Sequence, residues 1–257
     1  MKSKGLALRK VGIGITVALF WLAVWFVAAR LVDKELLLPY PQTVLAKLGA
    51  LCLTMTFWKN VGMTLARILL GTVLALIAGT LLAILTCRVT FVHRLVDPMI
   101  TVIRATPVAS FIILALIWLG SGRLPVFICF LMVLPIIWAA VSDGIHALDP
   151  KLKEVSEIYG LSFGKRLRYF YIPSILPYFL SACKTSIGMS WKAGVAAEVL
   201  AVTPVSIGKQ LYNAKLYLET SELFAWTAVV ILLSLAIEKL TAYLIGRIGK
   251  RRKYAED

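Results

Sequence analysis

Charged residues are scarce in this chain, and acidic residues are the scarcest. Of its 257 residues, 16% are charged and 60% are hydrophobic, whereas about a quarter of an ordinary soluble domain is charged. The composition therefore excludes an ordinary water-soluble enzyme, and it excludes intrinsic disorder, which requires low hydrophobicity. Lysine and arginine outnumber aspartate and glutamate by 28 to 13. We interpret this excess as basic residues in loops that face an anionic membrane surface, because such charge asymmetry sets membrane topology. The basic residues do not alternate with aromatic residues on a soluble face, so we predict no nucleic-acid partner.

Residues that carry chemistry are also few. The chain has four cysteines and two histidines, and the cysteines lack the spacing of a zinc site or a disulfide framework. No Ser/His/Asp set and no useful pair of carboxylates is present. The segment 160–166 resembles a phosphate-binding loop only faintly, because its glycine spacing is one residue short and Arg166 replaces Ser or Thr. We therefore expect a non-catalytic chain that binds no metal or cofactor itself.

Long hydrophobic runs make up most of the remaining sequence. A membrane-spanning helix needs about 20 mostly apolar residues, and six segments qualify: about 11–32, 61–87, 96–119, 125–145, 174–200 and 224–246. The sequence therefore predicts an all-α membrane protein with about six transmembrane helices. These form one transmembrane domain over 11–246, between short tails at 1–10 and 247–257. Proline removes a helix hydrogen bond, so a break near Pro107 is expected in the third segment.

The positions of lysine and arginine orient the six segments. The two tails and the second and fourth loops hold 16 of these residues, and the alternate loops hold 6. The cytoplasmic loops of membrane proteins carry the excess of basic residues. We therefore predict that both termini are cytoplasmic, which agrees with an even number of spans.

The loop at 149–173, cytoplasmic in this topology, has the pattern of a helical hairpin. Asp149 and Pro150 are typical of a helix start, and Gly160 is typical of a helix end. Between them, apolar residues recur on one helical face. Ser162 can cap a second short helix that continues toward Pro173. Two interpretations stay open: an amphipathic loop that rests on the lipid surface, or a helix that docks into a groove on a partner protein.

The same loop resembles the EAA loop of ABC-importer permeases. That pattern is Glu-Ala-Ala, three residues, Gly, nine residues, Ile, one residue, Leu-Pro, and it is matched in register by Glu154, Gly160 and Pro173. The departures keep the apolar or small character of the pattern. They are Val155 and Ser156 at the alanine positions, Phe170 at the isoleucine position and Ile172 at the leucine position.

Other segments resemble the nitrate/sulfonate/taurine-type branch of this permease family. In chain order they are Leu38-Pro39-Tyr40-Pro41, Thr64 to Gly71 (Ser-Leu-x-Arg-x-Leu-x-Gly in the family), Arg104-Ala105-Thr106-Pro107, Trp118 to Gly122, Trp191 and Ala197-Glu198. The resemblance covers roughly residues 35–245.

The resemblance implies an importer built from several chains in a bacterial plasma membrane. Two permease chains, expected to be a homodimer, form the pathway, an external solute-binding protein delivers the solute, and two cytoplasmic ATPase subunits bind ATP and dock on the EAA loops. Coupling to the ATPase is implied for Glu154, Ser156, Gly160, Phe163 and Pro173. This branch carries nitrate, alkanesulfonates, taurine and some pyrimidine vitamin precursors. The alternative function is an ATP-independent secondary transporter or channel, which would need no cytoplasmic dock.

Polar residues inside the apolar segments are candidates for the solute pathway, because such residues normally face the bundle interior or a wet cavity. The candidates are Arg104, Pro107, Trp191, Lys192 and Glu198. Positions 184, 188, 191 and 198 follow one helical stripe, which fits a pathway wall and also fits helix packing through small residues. An internal ion pair is the alternative for Glu198. A net positive lining favours an anionic solute.

Overall fold

The computed structural model is helical through most of the residues that it describes. The structure describes the backbone of residues 2–253 and the side chains of residues 12–152, 154 and 158–247. The elements in chain order are α1 (Lys2–Val32), α2 (Pro41–Cys52), α3 (Met55–Arg88), α4 (Thr90–Ala105), α5 (Val108–His146), α6 (Pro150–Ile158), α7 (Phe163–Arg166), a π-helical turn (Leu167–Tyr171), α8 (Ile172–Leu200), α9 (Ile207–Leu216) and α10 (Thr220–Lys253).

Four helices in the described part of the chain are long and apolar enough to cross a membrane. They are Gly12–Val32, Met55–Arg88, Val108–His146 and Thr220–Arg247. They coincide with the first, second, fourth and sixth predicted segments. The fifth predicted segment lies in α8, a helix of 29 residues that also carries three charged side chains. The all-helical membrane fold is thus confirmed, and the count of six spans stays a prediction.

The break expected near Pro107 is present. α4 ends at Ala105, Thr106 and Pro107 are extended with ψ of 131° and 133°, and α5 begins at Val108. Gly120 forms a second interruption, which the sequence analysis did not predict. Its φ of 66° and ψ of 166° lie inside α5, and glycine adopts this backbone conformation without the steric cost of a Cβ. α5 therefore consists of two helical stretches.

One compact unit of the chain comprises Asn60–Lys209 and Ile231–Asp257. Its core is formed by α3, α4, α5 and α8, with the buried residues Ala75, Ala83, Val96, Ile100, Val133, Ile137, Val141 and Ala182. Glycines bring the helix backbones close together. A Cβ on Gly71 of α3 would lie 2.3 Å from the carbonyl oxygen of Val126 in α5. Small residues at such crossings allow the close packing that stabilises helices in membranes.

The second compact unit comprises Met1–Lys59 and Gln210–Val230. Stacked aromatic rings hold its helices together. The ring centroids of Phe57 and Trp226 are 5.2 Å apart, with an interplanar angle of 26°. Such pairs add roughly 0.5–1.5 kcal/mol to the free energy of burial.

An ion pair accompanies these rings in the second unit. Lys47 Nζ of α2 lies 3.0 Å from Glu222 Oε2 and 3.9 Å from Glu219 Oε2. The hydrogen bond to Glu222 and the two negative charges raise the pKa of Lys47 above its usual value. The lysine therefore stays cationic throughout the physiological pH range.

Candidate coupling loop and translocation pathway

The 149–173 loop folds as two short helices joined at a glycine. α6 begins after Asp149, whose Oδ1 accepts a hydrogen bond from the backbone N–H of Lys151 at 2.9 Å. Gly160 has a φ of 59°, a left-handed conformation that glycine adopts readily and that commonly ends helices. α7 begins after Ser162, whose backbone is extended and whose side chain makes no capping hydrogen bond. The helix–Gly–helix pattern predicted from the sequence is therefore present, without the predicted serine cap.

Large apolar side chains of this loop are exposed. Ile158 is 82% exposed, Tyr159 is 76% exposed and Phe163 is 61% exposed. Glu154 is also exposed, whereas Pro173 is half-buried. Of the five residues implied in coupling, the side chain of Ser156 lies outside the described residues. Exposed apolar side chains on a short connector form a surface that a partner can cover.

The start of α8, directly after the loop, is anchored to the end of α5 by close contact. Ser174 Oγ donates a hydrogen bond to the carbonyl oxygen of Gly144 at 2.7 Å. A Cβ on Gly144 would lie 2.7 Å from the Cα of Ile175, so only glycine allows this approach. The end of α5 and the start of α8 are therefore in direct van der Waals contact at Gly144 and Ile175.

The pathway candidates on α8 differ in burial. Lys192 is exposed, and so is Lys184 two turns earlier. Trp191 and Glu198 are almost completely buried, and Gly188 is half-buried. The stripe of positions proposed from the sequence therefore does not form one exposed wall in the protomer. Within that stripe Lys184 is exposed, whereas Trp191 and Glu198 face the interior.

Glu198 is the acceptor at the centre of a buried polar network. Its Oε1 lies 3.4 Å from Arg67 Nη1, and its Oε2 accepts hydrogen bonds from Thr64 Oγ1 at 2.8 Å and from the backbone N–H of Gly208 at 3.3 Å. The backbone N–H of Ile207 donates to Thr64 Oγ1 at 3.0 Å. The geometry therefore favours the internal pair that was the alternative for Glu198.

The same network holds the segment between α8 and α9. Arg67 donates from Nη1 and Nη2 to the carbonyl oxygens of Val205 and Pro204, both at 2.9 Å. Within this segment Val202 and Val205 have φ of 50° and 48°, a conformation that is costly for β-branched residues. Arg67 and Thr64 stood in the sequence motif at 64–71, but no local pattern indicated that both contact Glu198.

Arg104 and Pro107 lie at the break between α4 and α5. Arg104 is exposed, and its Nη2 donates to the carbonyl oxygen of Pro135 at 2.9 Å. Pro107 is also exposed. One guanidinium nitrogen is thus held by a backbone carbonyl of α5, while the side chain remains accessible from outside the protomer.

Comparison with protein-family models adds a decisive observation to this geometry. Residues 71–254 match the family of binding-protein-dependent transport system inner membrane components. The chain belongs to this family. It is therefore the membrane subunit of a transport system and resembles non-catalytic permeases.

Characterised relatives match most of the chain. It is 26% identical to the taurine transport system permease protein TauC of Escherichia coli (strain K12), over 90% of this chain and 86% of the relative. It is 28% identical to the nitrate import permease protein NrtB of Leptolyngbya laminosa, over 75% of this chain and 68% of the relative. These relatives agree with the branch indicated by the sequence motifs.

The fold also matches solved transporters. A crystal structure of an amino acid ABC transporter with histidines superposes with a TM-score of 0.61, at 18% identity, and covers 76% of this chain and 94% of that one. At this identity the likeness demonstrates only that the two chains share a fold.

Proposed function

We propose that this chain forms the solute pathway of an ATP-driven importer for a small anion and couples to ATPase subunits through the 149–173 loop. Two copies form the pathway, an external binding protein delivers the solute, and ATP is bound and hydrolysed on the partner ATPase chains. The setting is a bacterial plasma membrane. The observation that carries the proposal is the helix–Gly–helix loop with exposed Glu154 and Phe163, tied by Gly144 and Ser174 to the pathway helices.

The coupling step follows from the contacts of the loop. The apolar side chains Ile158, Tyr159 and Phe163 are exposed and would be covered by the ATPase subunit. Glu154 would fix the docking register, because a charge at the edge of an apolar patch disfavours wrong alignments. When the ATPase moves, the tight contact at Gly144 would carry the hairpin and α5 together. The pathway would then alternate between inward-open and outward-open states.

The choice of an anion rests on accessible positive charge. Lys184, Lys192 and Arg104 are exposed on helices α8 and α4 of the protomer. Of the two acidic residues close to this part of α8, Glu198 is buried and paired with Arg67, and Glu238 lies against Gly188. A cleft lined by one sign of charge concentrates ligands of the opposite sign. The names of the relatives support a solute with a negatively charged group, since nitrate is an anion and taurine carries a sulfonate.

Six spans with both termini in the cytoplasm remain our topology. At 1.5 Å per residue, the 29 residues of α8 extend about 43 Å, which is enough to cross a hydrocarbon core of about 30 Å. α4 and the first part of α5 would form one span broken at Pro107. A broken helix at membrane depth is tolerated where protein or a water-filled cavity surrounds it.

The first experiment tests the dock. The chain and its cognate ATPase are purified together from mild detergent, as wild type and as Glu154→Arg. Glu35→Arg is the matched control, because Glu35 is also exposed and lies on the opposite side of the membrane in our topology. We expect Glu154→Arg to lose the ATPase and Glu35→Arg to retain it. Retention by Glu154→Arg, or a chain that purifies alone and transports without ATP, would favour a secondary transporter or channel.

The second experiment tests the charge of the pathway. Uptake of taurine, nitrate and an alkanesulfonate is measured in proteoliposomes that contain the full transporter, as wild type and as Lys192→Gln. Lys239→Gln is the control, since Lys239 is an exposed lysine in the second half of α10. We expect a loss of uptake for Lys192→Gln with ATPase binding intact. If Lys192→Gln takes up these solutes as well as Lys239→Gln does, Lys192 does not contribute to the pathway.

A further inference from the structure

A cavity of about 430 Å³ lies beside the coupling loop, at the end of two membrane-spanning helices. Much of its lining is apolar and comes from α3, α5, the π-helical turn and α8: Ile84, Ile145, Leu167 and Ile175. Two arginines, Arg88 and Arg166, also line it. The cavity therefore combines an apolar wall with two fixed positive charges.

Both guanidinium groups are held in place by the protein. The guanidinium carbon of Arg88 lies 5.3 Å from the ring centroid of Phe163. Arg166 Nε donates to the carbonyl oxygen of Leu161 at 2.8 Å, which leaves its terminal N–H groups available. Among the described residues no carboxylate pairs with either arginine. Two arginines that line one cavity and have no described carboxylate partner can bind an anion.

We propose that this cavity binds an anionic glycerophospholipid, with the headgroup phosphate between Arg88 and Arg166. Arginine N–H groups match the oxygens of a phosphate in paired hydrogen bonds. The isoleucine and leucine side chains would contact the first methylenes of an acyl chain. Basic pockets between membrane helices at the membrane boundary are typical of such lipid sites.

The apolar wall distinguishes a lipid from a free anion. Inorganic phosphate would use the arginines but would leave the isoleucines in contact with water, whereas an acyl chain covers them. Arg88 is also the last residue of α3 and of its candidate span, so the charges lie at the depth where lipid phosphates lie. The assignment to the cytoplasmic leaflet rests on the proposed topology. Lipid binding itself does not depend on it or on the ATPase.

The test measures lipid retention directly. The purified full chain, stripped of lipid, is titrated with phosphatidylglycerol and followed by native mass spectrometry. Parallel titrations use phosphatidylcholine with the same acyl chains and inorganic phosphate. The variant is Arg88→Gln/Arg166→Gln. Arg168→Gln is the control, because Arg168 is two residues from Arg166 and lies over the Tyr169 ring but is not among the residues that line the cavity.

We expect phosphatidylglycerol to bind the wild type and Arg168→Gln alike, and to bind the double variant at least about tenfold more weakly, because two charge-assisted contacts are lost. Phosphatidylcholine should bind more weakly than phosphatidylglycerol. The proposal is overturned if the double variant binds phosphatidylglycerol as the wild type does, or if inorganic phosphate displaces the lipid at equal concentration.

A second measurement on the wild-type chain keeps the test valid if the double variant does not fold. Cys87 lines the cavity, and its reaction with a maleimide can be mapped to its peptide. Phosphatidylglycerol should slow the labelling of Cys87 and leave that of Cys52, an equally half-buried thiol of α2, unchanged. Equal rates at Cys87 with and without phosphatidylglycerol would refute the site.

Discussion

The pair formed by Arg67 and Glu198 offers the strongest test of how the segment after α8 is held. Glu198 is completely buried, and Arg67 is 14% exposed. We predict that Arg67→Met destabilises the protein, because it leaves the carboxylate buried beside only Thr64 and Gly208. It also removes the donors from two backbone carbonyls in a segment that contains Val202 and Val205 at positive φ.

The magnitude follows from the burial of the pair. Removing one partner of a buried ion pair costs about 3–5 kcal/mol in the free energy of unfolding. Because water reaches part of Arg67, we expect a value near the lower end, about 3 kcal/mol. Glu198→Gln should cost less, since glutamine is neutral and still accepts from Thr64. The loss of unfolding free energy in the double variant should be smaller than the sum of the losses in the two single variants by about 1–3 kcal/mol.

The assay is unfolding in mixed micelles, followed by tryptophan fluorescence. The chain has seven tryptophans, of which Trp191 and Trp226 are among the largest fully buried side chains. Arg123→Met is the matched control, because Arg123 is exposed and makes no ion pair with a described residue. Additive effects of the two single changes, or an equal loss of stability in Arg123→Met, would refute the reasoning.

Three further changes test close contacts. Gly144→Ala places a Cβ 2.7 Å from the Cα of Ile175. We expect this overpacking to lower the free energy of unfolding by about 1–3 kcal/mol, and we expect solute to stimulate the ATPase less in proteoliposomes. Gly160→Ala forces alanine to a φ of 59°, which costs about 1–2 kcal/mol; the amount of ATPase that copurifies should fall, and Gly160→Asn should restore part of it. Trp138→Phe removes a hydrogen bond of 3.0 Å from Nε1 to Thr86 Oγ1 and should lower the free energy of unfolding by about 1 kcal/mol, measured in mixed micelles.

A glycine control accompanies the first two of these changes. A Cβ on Gly122 would meet no atom within 4 Å in the protomer. We therefore expect Gly122→Ala to leave unchanged both the stimulation of the ATPase by solute and the amount of ATPase that copurifies. If solute stimulates the ATPase normally in Gly144→Ala, then α5 and α8 do not move together.

Local chemistry explains why part of this protein could be predicted from the sequence. The break at Pro107 follows from a missing N–H, and the turn at Gly160 follows from the freedom of a residue without a Cβ. Hydrophobic runs of about 20 residues predict spanning helices wherever few charges interrupt them. The interruption at Gly120 was not predicted. A glycine inside an apolar run can continue a helix, and only the packing of neighbouring elements requires the positive φ at this position.

By itself, then, the sequence determined the all-helical membrane class, the helix–Gly–helix loop and the permease family, since each depends on residues close together in the chain. Only the tertiary structure decided which polar side chains face inward. Arg67 and Glu198 are separated by 131 positions, so no periodicity could pair them. Trp191 and Lys192 are neighbours in sequence, yet one is buried and the other is exposed. That difference arises because α8 packs one side against α5, and packing assigns a helix face to the interior only once its partners are in place.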